Sequence, residues 1–318
     1  MTIKSDVLKI LEQNRNISIS GQELAKQLNV SRMSICKVIK KLKEEGYNIE
    51  ASTNKGYMLL DNNDILSSEG ISCYLDKKMD IYAYKTIHST NTQMKKFAVD
   101  NHVDYALIVA EHQSAGRGRF NRVFYSPEKQ GIYMSLLLRY NQTFNDATLI
   151  TIQSAVAIKR VIKKLCGIDT KIKWVNDLYY QGKKICGILT EAISDFESRM
   201  IEAIIIGIGI NVSTKQFPEE LLDKATSLGI ENINRSKFIA LIVNEILKII
   251  DEDFNNVLNE YKDASCVLNK KVEFRYKGQI YNGIAKDINN LGNLIVKCDN
   301  QEYTLNSGEV SIIQKNYE

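Results

Sequence analysis

The 318-residue sequence predicts a multidomain α+β fold in three parts: a small helical module with a β-hairpin wing, a mixed α/β body and a small C-terminal β-barrel. Three observations carry this. Apolar residues at helical spacing fill the first sixty positions, long alternating helix and strand patterns follow, and short strands divided by glycine and asparagine turns close the chain. The domains are placed at 1–62, 65–265 and 268–318.

In the first part Val7, Leu8, Ile10 and Leu11 recur at helical spacing, and Ser20 to Leu42 reads as helix, tight turn, helix. Ser20 can cap the first of these helices with Glu23 reaching back, and Ser31 can cap the second. Along the second, Ile35, Val38, Ile39 and Leu42 form the inward stripe and leave Arg32, Ser34, Lys37 and Lys41 outward. Tyr47 to Leu59 alternates around a polar tip containing Lys55, as a hairpin wing would. The sum resembles a winged helix-turn-helix. Residues 1–60 hold ten Lys/Arg against six Asp/Glu, so this segment carries the whole chain's net charge of +4. That basic excess suits a polyanion. Ser31, Arg32, Ser34, Lys37, Lys41 and Lys55 are the expected DNA contacts, with the helix Ser31 to Glu45 entering a major groove. One module per chain implies a dimer on a two-fold operator. Modules of this shape also serve protein contacts.

After a polar joint at Asp61-Asn62-Asn63-Asp64 the body begins. Leu107 to Ala110 and Ile132 to Leu138 are apolar enough for buried strands, and Ala147 to Cys166 has amphipathic helix spacing. Trp174-Val175 leads into a hairpin, Asp177 to Tyr180 and Ile185 to Leu189 around the turn Gln181-Gly182-Lys183. Ile201 to Val212 reads as a central strand and Ser236 to Tyr261 as one long closing helix. From Leu268, turns at Lys277-Gly278, Asn289-Asn290 and Asn306-Ser307-Gly308 separate the strands of the small barrel.

Composition excludes several classes. At 44% apolar and 25% charged residues the chain matches ordinary globular domains. No apolar run approaches the roughly 20 residues of a membrane span. The start, Met1 to Asp6, lacks a secretory pattern, so no membrane partner and a cytoplasmic location are expected. Six scattered cysteines without a CxxC pair and three separated histidines indicate neither a disulfide framework nor a metal cluster.

The chemistry concentrates in four islands. Gln113 to Arg122 packs Arg117, Arg119 and Arg122 with Gly116 and Gly118 after an apolar strand. Guanidinium forks bind carboxylate or phosphate, and glycine admits close backbone approach, which suits an acyl phosphate or acyl adenylate. The same composition also suits a solvated loop or a nucleic-acid-binding tail. The other islands are His88-Ser89-Thr90-Asn91; Lys173-Trp174-Val175-Asn176-Asp177 with Lys183-Lys184-Ile185-Cys186-Gly187-Ile188-Leu189; and Gly207-Ile208-Gly209-Ile210-Asn211-Val212.

In this order and spacing, and with both flanking domains, the islands closely resemble the biotin protein ligases, and the first module places the chain with the bifunctional members that also repress biotin genes. The resemblance implies a central domain of the biotin/lipoate ligase type and an SH3-like barrel that includes Ser307-Gly308-Glu309-Val310. It implies that biotin and ATP, with Mg2+, give biotinyl-5′-AMP, and that the biotinyl group passes to one lysine of a biotin carboxyl carrier protein or domain. By resemblance Ser89, Thr90, Asn91, Gln113, Gly116, Arg117, Lys184 and Gly187 bind biotin. Arg119, Arg122, Phe124, Asn176 and Asn211 lie around ATP and the adenylate, and Lys184, Arg119 and Arg117 serve the reaction itself. No protein-held metal ligands are assigned.

Several plain readings stay open beside these. Ser-Thr-Asn is also a helix cap, Asn176 and Asn211 are also turn formers, and Lys183 competes with Lys184 for the register. The family usually has Trp where Phe124 stands and Pro where Val175 stands. Phe keeps a smaller stacking face, so an active enzyme is expected. The Gly/Arg loop, charged and without apolar anchors, is expected to be mobile when empty and ordered by the adenylate, which would favour a homodimer and align two winged helices on operator DNA. A lipoate-type ligase and a catalytically weak or inactive biotin-sensing transcription factor are the alternatives.

Overall fold

The computed structural model describes residues 2–61, 63–139, 147–194, 201–299 and 301–313. Asn62 of the polar joint and the end of the barrel segment, 314–318, lie outside the described residues. The chain forms two compact units, Met1–Ala83 with Ile230–Asn244, and Tyr84–Gly229 with Glu245–Glu318.

The first unit contains α1 (Ile3–Gln13), α2 (Gly21–Gln27), α3 (Arg32–Glu44), the antiparallel hairpin β1 (Ile49–Ser52) and β2 (Gly56–Leu59), and α4 (Ser68–Ser72). Each of the first three helices starts on a hydroxyl: Thr2 in a capping box with Ser5, Ser20 accepting from the Glu23 amide, and Ser31 from the Ser34 amide. The reciprocal arm expected of Glu23 is not formed; its side chain points to solvent and the cap is one-way. Val7, Leu8, Leu11, Leu24, Ile35, Ile39, Leu42 and Leu59 make the core, with Val38 half-buried at its edge. Gly56 has φ +95°, and a Cβ there would lie 2.1 Å from the Ile19 carbonyl oxygen. Only glycine lets the wing close against Ile19, which bridges to Tyr57. The segment 230–244 is fastened within this unit. The Arg235 guanidinium, 1% exposed, meets Asp64 at 2.5 Å, and Asn244 donates to the Tyr74 carbonyl at 2.8 Å.

The second unit is built on the latter half of β3 (Asp80–Ile87), α5 (Thr90–Asp100), β4 (Tyr105–Gln113), β5 (Gly131–Leu138), α6 (Ala147–Cys166), β6 (Lys171–Lys173), β7 (Asp177–Tyr180), β8 (Lys183–Ser194) and β9 (Ile201–Asn211). The strands form one sheet ordered β3-β4-β5-β9-β8-β7-β6. From β4 to β6 every neighbouring pair is antiparallel, so the alternation of helices and strands produces no parallel crossover among these pairs. All eight positions of β5 are buried, as a strand with both faces covered requires.

The single closing helix expected from Ser236 to Tyr261 is two, α7 (Arg235–Ile249) and α8 (Phe254–Ala264). Asp253 interrupts it by capping the Asn255 amide, and Arg160 of α6 clasps Glu245, Glu252 and Glu260 on either side of the break. The C-terminal part is an SH3-like antiparallel sheet of β10 (Lys271–Tyr276), β11 (Gln279–Ile288), β12 (Leu294–Cys298), β13 (Gln301–Leu305) and β14 (Val310–Ile312), ordered β13-β12-β11-β10-β14. Trp174 Nε1 donates to the Gly292 carbonyl at 2.9 Å, which ties this sheet to the body within the same unit. No described helix is long and apolar enough to cross a membrane.

Candidate functional site

Glycines in the central strands prepare the floor of a cleft of about 940 Å³. Gly187 of β8 pairs with Gly209 of β9, so neither strand presents a Cβ at that point. The ring of Phe124 fills the ground above them: a Cβ on Gly209 would lie 2.5 Å from the ring, and one on Gly187 3.4 Å. Tyr133 meets the same ring edge-on. Two residues back on the same face, a Cβ on Gly207 would lie 2.1 Å from Asn91 Oδ1. The Gly-Ile-Gly spacing therefore seats Phe124 and Asn91 side by side.

One wall is polar. Ser89 caps α5 by accepting from the Thr92 amide at 3.4 Å. Gln113, at the end of β4, accepts from the Thr90 amide at 2.8 Å and donates to Ser126 Oγ at 3.0 Å. Ser89, Thr90 and Asn91 are all at least 95% buried, yet all line the cleft. The cap reading and the site reading of Ser-Thr-Asn hold together in one geometry.

The Gly/Arg segment doubles back above this wall. The Ser114 and Ala115 amides donate to the Ile87 and His88 carbonyls, Phe124 to Gly116, and Gly118 to Arg122 at 2.7 Å. A Cβ on Gly116 would stand 2.5 Å from the Phe124 carbonyl oxygen, so the return of the loop needs glycine there. The fold brings the three arginines to one cleft in different states. Arg117 is exposed and donates to Asn121 at 3.1 Å. Arg119 is half-buried and donates to Asn176 Oδ1 at 3.2 Å; burial pulls its pKa below the ordinary arginine value, partly offset by the charge of Asp177. Arg122 forms a bidentate pair with Glu309 at 2.7 and 2.6 Å. That bonding raises the pKa of Arg122 and lowers that of Glu309.

Lys184, not Lys183, faces the cleft. Its Nζ lies 2.6 Å from Asp177 Oδ1, whereas Lys183 turns away to the Leu222 carbonyl. A β-bulge decides this. The register between β7 and β8 jumps from Leu178–Cys186 to Tyr179–Lys184, leaving Ile185 as the extra residue. In a regular strand Lys184 and Gly187, three apart, would face opposite sides; the bulge returns Lys184 to the side of Gly187, within 3.1 Å of where a Cβ would sit. Asn176 donates to the Ile188 carbonyl at 2.8 Å, so it both closes its turn and receives Arg119. Asn211 donates to the Thr226 carbonyl at 3.0 Å, while its buried Oδ1 has no hydrogen-bond partner among the described residues.

Asp177 and Glu309, which stand in the motifs above without a role, line the cleft, and Ser126 stands behind its wall as the partner of Gln113. Asp177 sits inside a motif and Ser126 two residues past Phe124, so proximity in sequence could have suggested both. Glu309 lies 187 residues from its partner, and only the tertiary fold brings the two together.

In the other unit, Ser31, Arg32, Lys37, Lys41 and Lys55 are exposed. Ser34 departs from the outward placement expected of it. It is half-buried because its amide and hydroxyl are engaged by Ser31, the latter at 2.9 Å.

The model of the biotin/lipoate A/B protein ligase family matches residues 83–211, that of an HTH domain residues 4–58, and that of the biotin protein ligase C-terminal domain residues 267–312. The bifunctional ligase/repressor BirA of Bacillus subtilis is 38% identical over 232 residues, 71% of each chain. BirA of Escherichia coli is 27% identical over 301 residues, 92% of each chain. Among solved structures, the biotin protein ligase of Aquifex aeolicus in complex with biotin and ATP superposes with a TM-score of 0.64 at 25% identity, covering 74% of this chain and 99% of that one.

Proposed function

Because this chain belongs to the family of bifunctional biotin ligase/repressors, we propose that its cleft joins biotin to ATP as biotinyl-5′-AMP and passes the biotinyl group to a lysine of a biotin carboxyl carrier protein or domain. The observation that carries this is one cleft in which a donor-and-acceptor wall, Ser89, Thr90 and Gln113, stands beside Arg119, Arg122 and Lys184 over a glycine floor. An apolar ring system with a polar urea edge and an anionic tail suits such a surface.

In the first step a carboxylate oxygen of biotin attacks the α-phosphorus of ATP, the bond from that phosphorus to the bridging oxygen breaks, and pyrophosphate leaves. Two anions must meet, so the protein's task is to hold them in line and offset their repulsion. Ser89, Thr90, Asn91 and Gln113 hold the ring, with Gly116 and Gly187 giving backbone access. Arg117 and Lys184 serve the carboxylate and the activated linkage, Arg119 and Arg122 the phosphates, and Phe124 offers a ring face to adenine. Asn176 orients Arg119, and Asn211 Oδ1 is free to accept from a nucleotide N–H. In the second step the neutral amine of the carrier lysine attacks the acyl carbon, the acyl–oxygen bond to AMP breaks, and the amine loses a proton. Magnesium enters as part of the ATP substrate. Among the described residues no three His, Cys, Asp or Glu side chains are grouped to hold a metal ion, so no residue is assigned to it.

The exposed face of α3, with Ser31, Arg32, Lys37 and Lys41, and the wing with Lys55 would read operator DNA as a homodimer favoured by biotinyl-AMP. Ser34 acts there by fixing the helix start. The test of the enzyme is transfer of labelled biotin to a purified apo carrier domain with ATP and magnesium, by wild type and by Arg119→Ala. Transfer by wild type that the substitution cripples is expected. Absence of transfer by wild type overturns the reading.

A further inference from the structure

The motif Lys173 to Asp177 brings to the cleft a cation that the reaction so far leaves unused. Lys173 ends β6, where its backbone is fixed beside two buried neighbours, Ile172 and Trp174, with Trp174 tied to the Gly292 carbonyl. Its side chain lines the cleft and is half-buried. Asp177 stands directly across the ladder from it, yet gives its carboxylate to Lys184. The charge of Lys173 is also felt at Glu309, after the hydrogen bonds from Arg122 that lower the Glu309 pKa, but the Glu309 carboxylate is clasped by Arg122. The Lys173 ammonium lies instead over the Tyr179 ring, 5.5 Å from its centroid, and takes part in no ion pair among the described residues. A ring face holds an ammonium weakly and yields it to a full anion.

Formation of the adenylate places a changing demand on these cations. As the carboxylate oxygen of biotin bonds to the α-phosphorus, the bond to the bridging oxygen breaks and its electron pair leaves with pyrophosphate, so negative charge grows on the departing group. Arg119 is oriented by Asn176, but Arg122 has its charge already met by Glu309. Of the other cations in the lining, Arg117 and Lys224 are exposed and Lys184 is paired with Asp177. We infer that Lys173 binds the leaving pyrophosphate and offsets the charge that develops on it, and so serves the making of biotinyl-5′-AMP and not the transfer from it. In the second step the leaving group is AMP, and Lys173 has no bond to make. The inference rests on the proposed reaction of biotin with ATP.

The experiment reads the two half-reactions apart in Lys173→Met, which keeps the apolar stem and removes the charge, with magnesium present throughout. Biotin-dependent exchange of labelled pyrophosphate into ATP reports the first step, and single-turnover transfer from preformed biotinyl-5′-AMP to an apo carrier domain reports the second. Exchange is expected to fall by about 100-fold, the lower end of the range for one charge-stabilising donor, with a raised KM for pyrophosphate. Transfer from the adenylate and the affinity for biotin are expected to stay within about 3-fold of wild type, a split that general damage to the fold would not produce. Lys173→Arg keeps the charge on a different geometry and is expected to recover part of the exchange. Exchange within about 3-fold of wild type in Lys173→Met, an equal loss of transfer, or no recovery in Lys173→Arg overturns the inference. Should the methionine variant not fold, Lys173→Gln reads the same two half-reactions. Lack of exchange by wild type would instead overturn the proposed function on which the inference depends.

Discussion

Arg119 is partly withdrawn from water and directed by Asn176, so its charge is less screened and its fork is aimed before any ligand arrives. Arg119→Ala is expected to lower kcat for biotin transfer by about 100- to 1,000-fold, the range seen when one preorganised charge-stabilising donor is removed. Arg119→Lys should recover only part of this, because an ammonium keeps the charge and loses the planar fork. The pair Arg122–Glu309 makes a different prediction. Arg122's hydrogen bonds, then its charge, hold the Glu309 carboxyl below the ordinary glutamate value. A depressed carboxylate stabilises the fold above its unfolded pKa of about 4.3, and the contribution is lost as pH falls through the lower folded value. Thermal unfolding of wild type and Glu309→Gln should therefore differ near neutral pH and converge in acid. A constant difference down to about pH 3 would contradict the assignment. Both side chains are well exposed, so the neutral-pH difference should be small.

At the scale of elements, α3 shows how much the sequence discloses when periodicity, caps and charge agree. Its bounds, its Ser31 cap and its outward lysines are legible because each is a local property. Lys37 is exposed and outward, so Lys37→Ala is expected to weaken DNA binding across sequences and to reduce the slope of log affinity against log salt by about one, measured by titration at several salt concentrations. Loss at one operator sequence only would mean that Lys37 reads a base. The β7–β8 hairpin shows the limit. Its strands and turn are legible, but the choice between Lys183 and Lys184 is not, since one extra residue inverts every side chain beyond it and no composition signals where the bulge falls. The split of the closing helix at Asp253 is not legible because the apolar spacing on either side continues in phase, while the break is set by a cap and by Arg160, which lies 92 residues from Glu252.

For the whole molecule, the cleft and the C-terminal sheet share one compact unit, and α3 belongs to the other. Glu309 and Gly292 bring two parts of the C-terminal sheet to the body, one at the Gly/Arg loop and one behind the Lys-Trp motif. Trp174→Phe keeps the ring and leaves the Gly292 carbonyl without its donor; a loss of stability of about 1 kcal/mol, read by denaturant unfolding, is expected. If biotinyl-AMP couples the two units through assembly, sedimentation should show a dimer that strengthens when biotin and ATP are supplied together. An association constant indifferent to both would separate repression from dimerisation.

The facing glycines of β8 and β9 carry a consequence of their own. Glycine is a poor strand former, and here two stand opposite each other in the middle of the sheet, at backbone angles an alanine would accept. The sheet is therefore weakest at its working surface. A directed-evolution campaign that screened only for heat tolerance should favour alanine at Gly187, whose Cβ would meet the Phe124 ring at ordinary contact distance, over alanine at Gly209, whose Cβ would have to drive that ring from its place and the turnover with it.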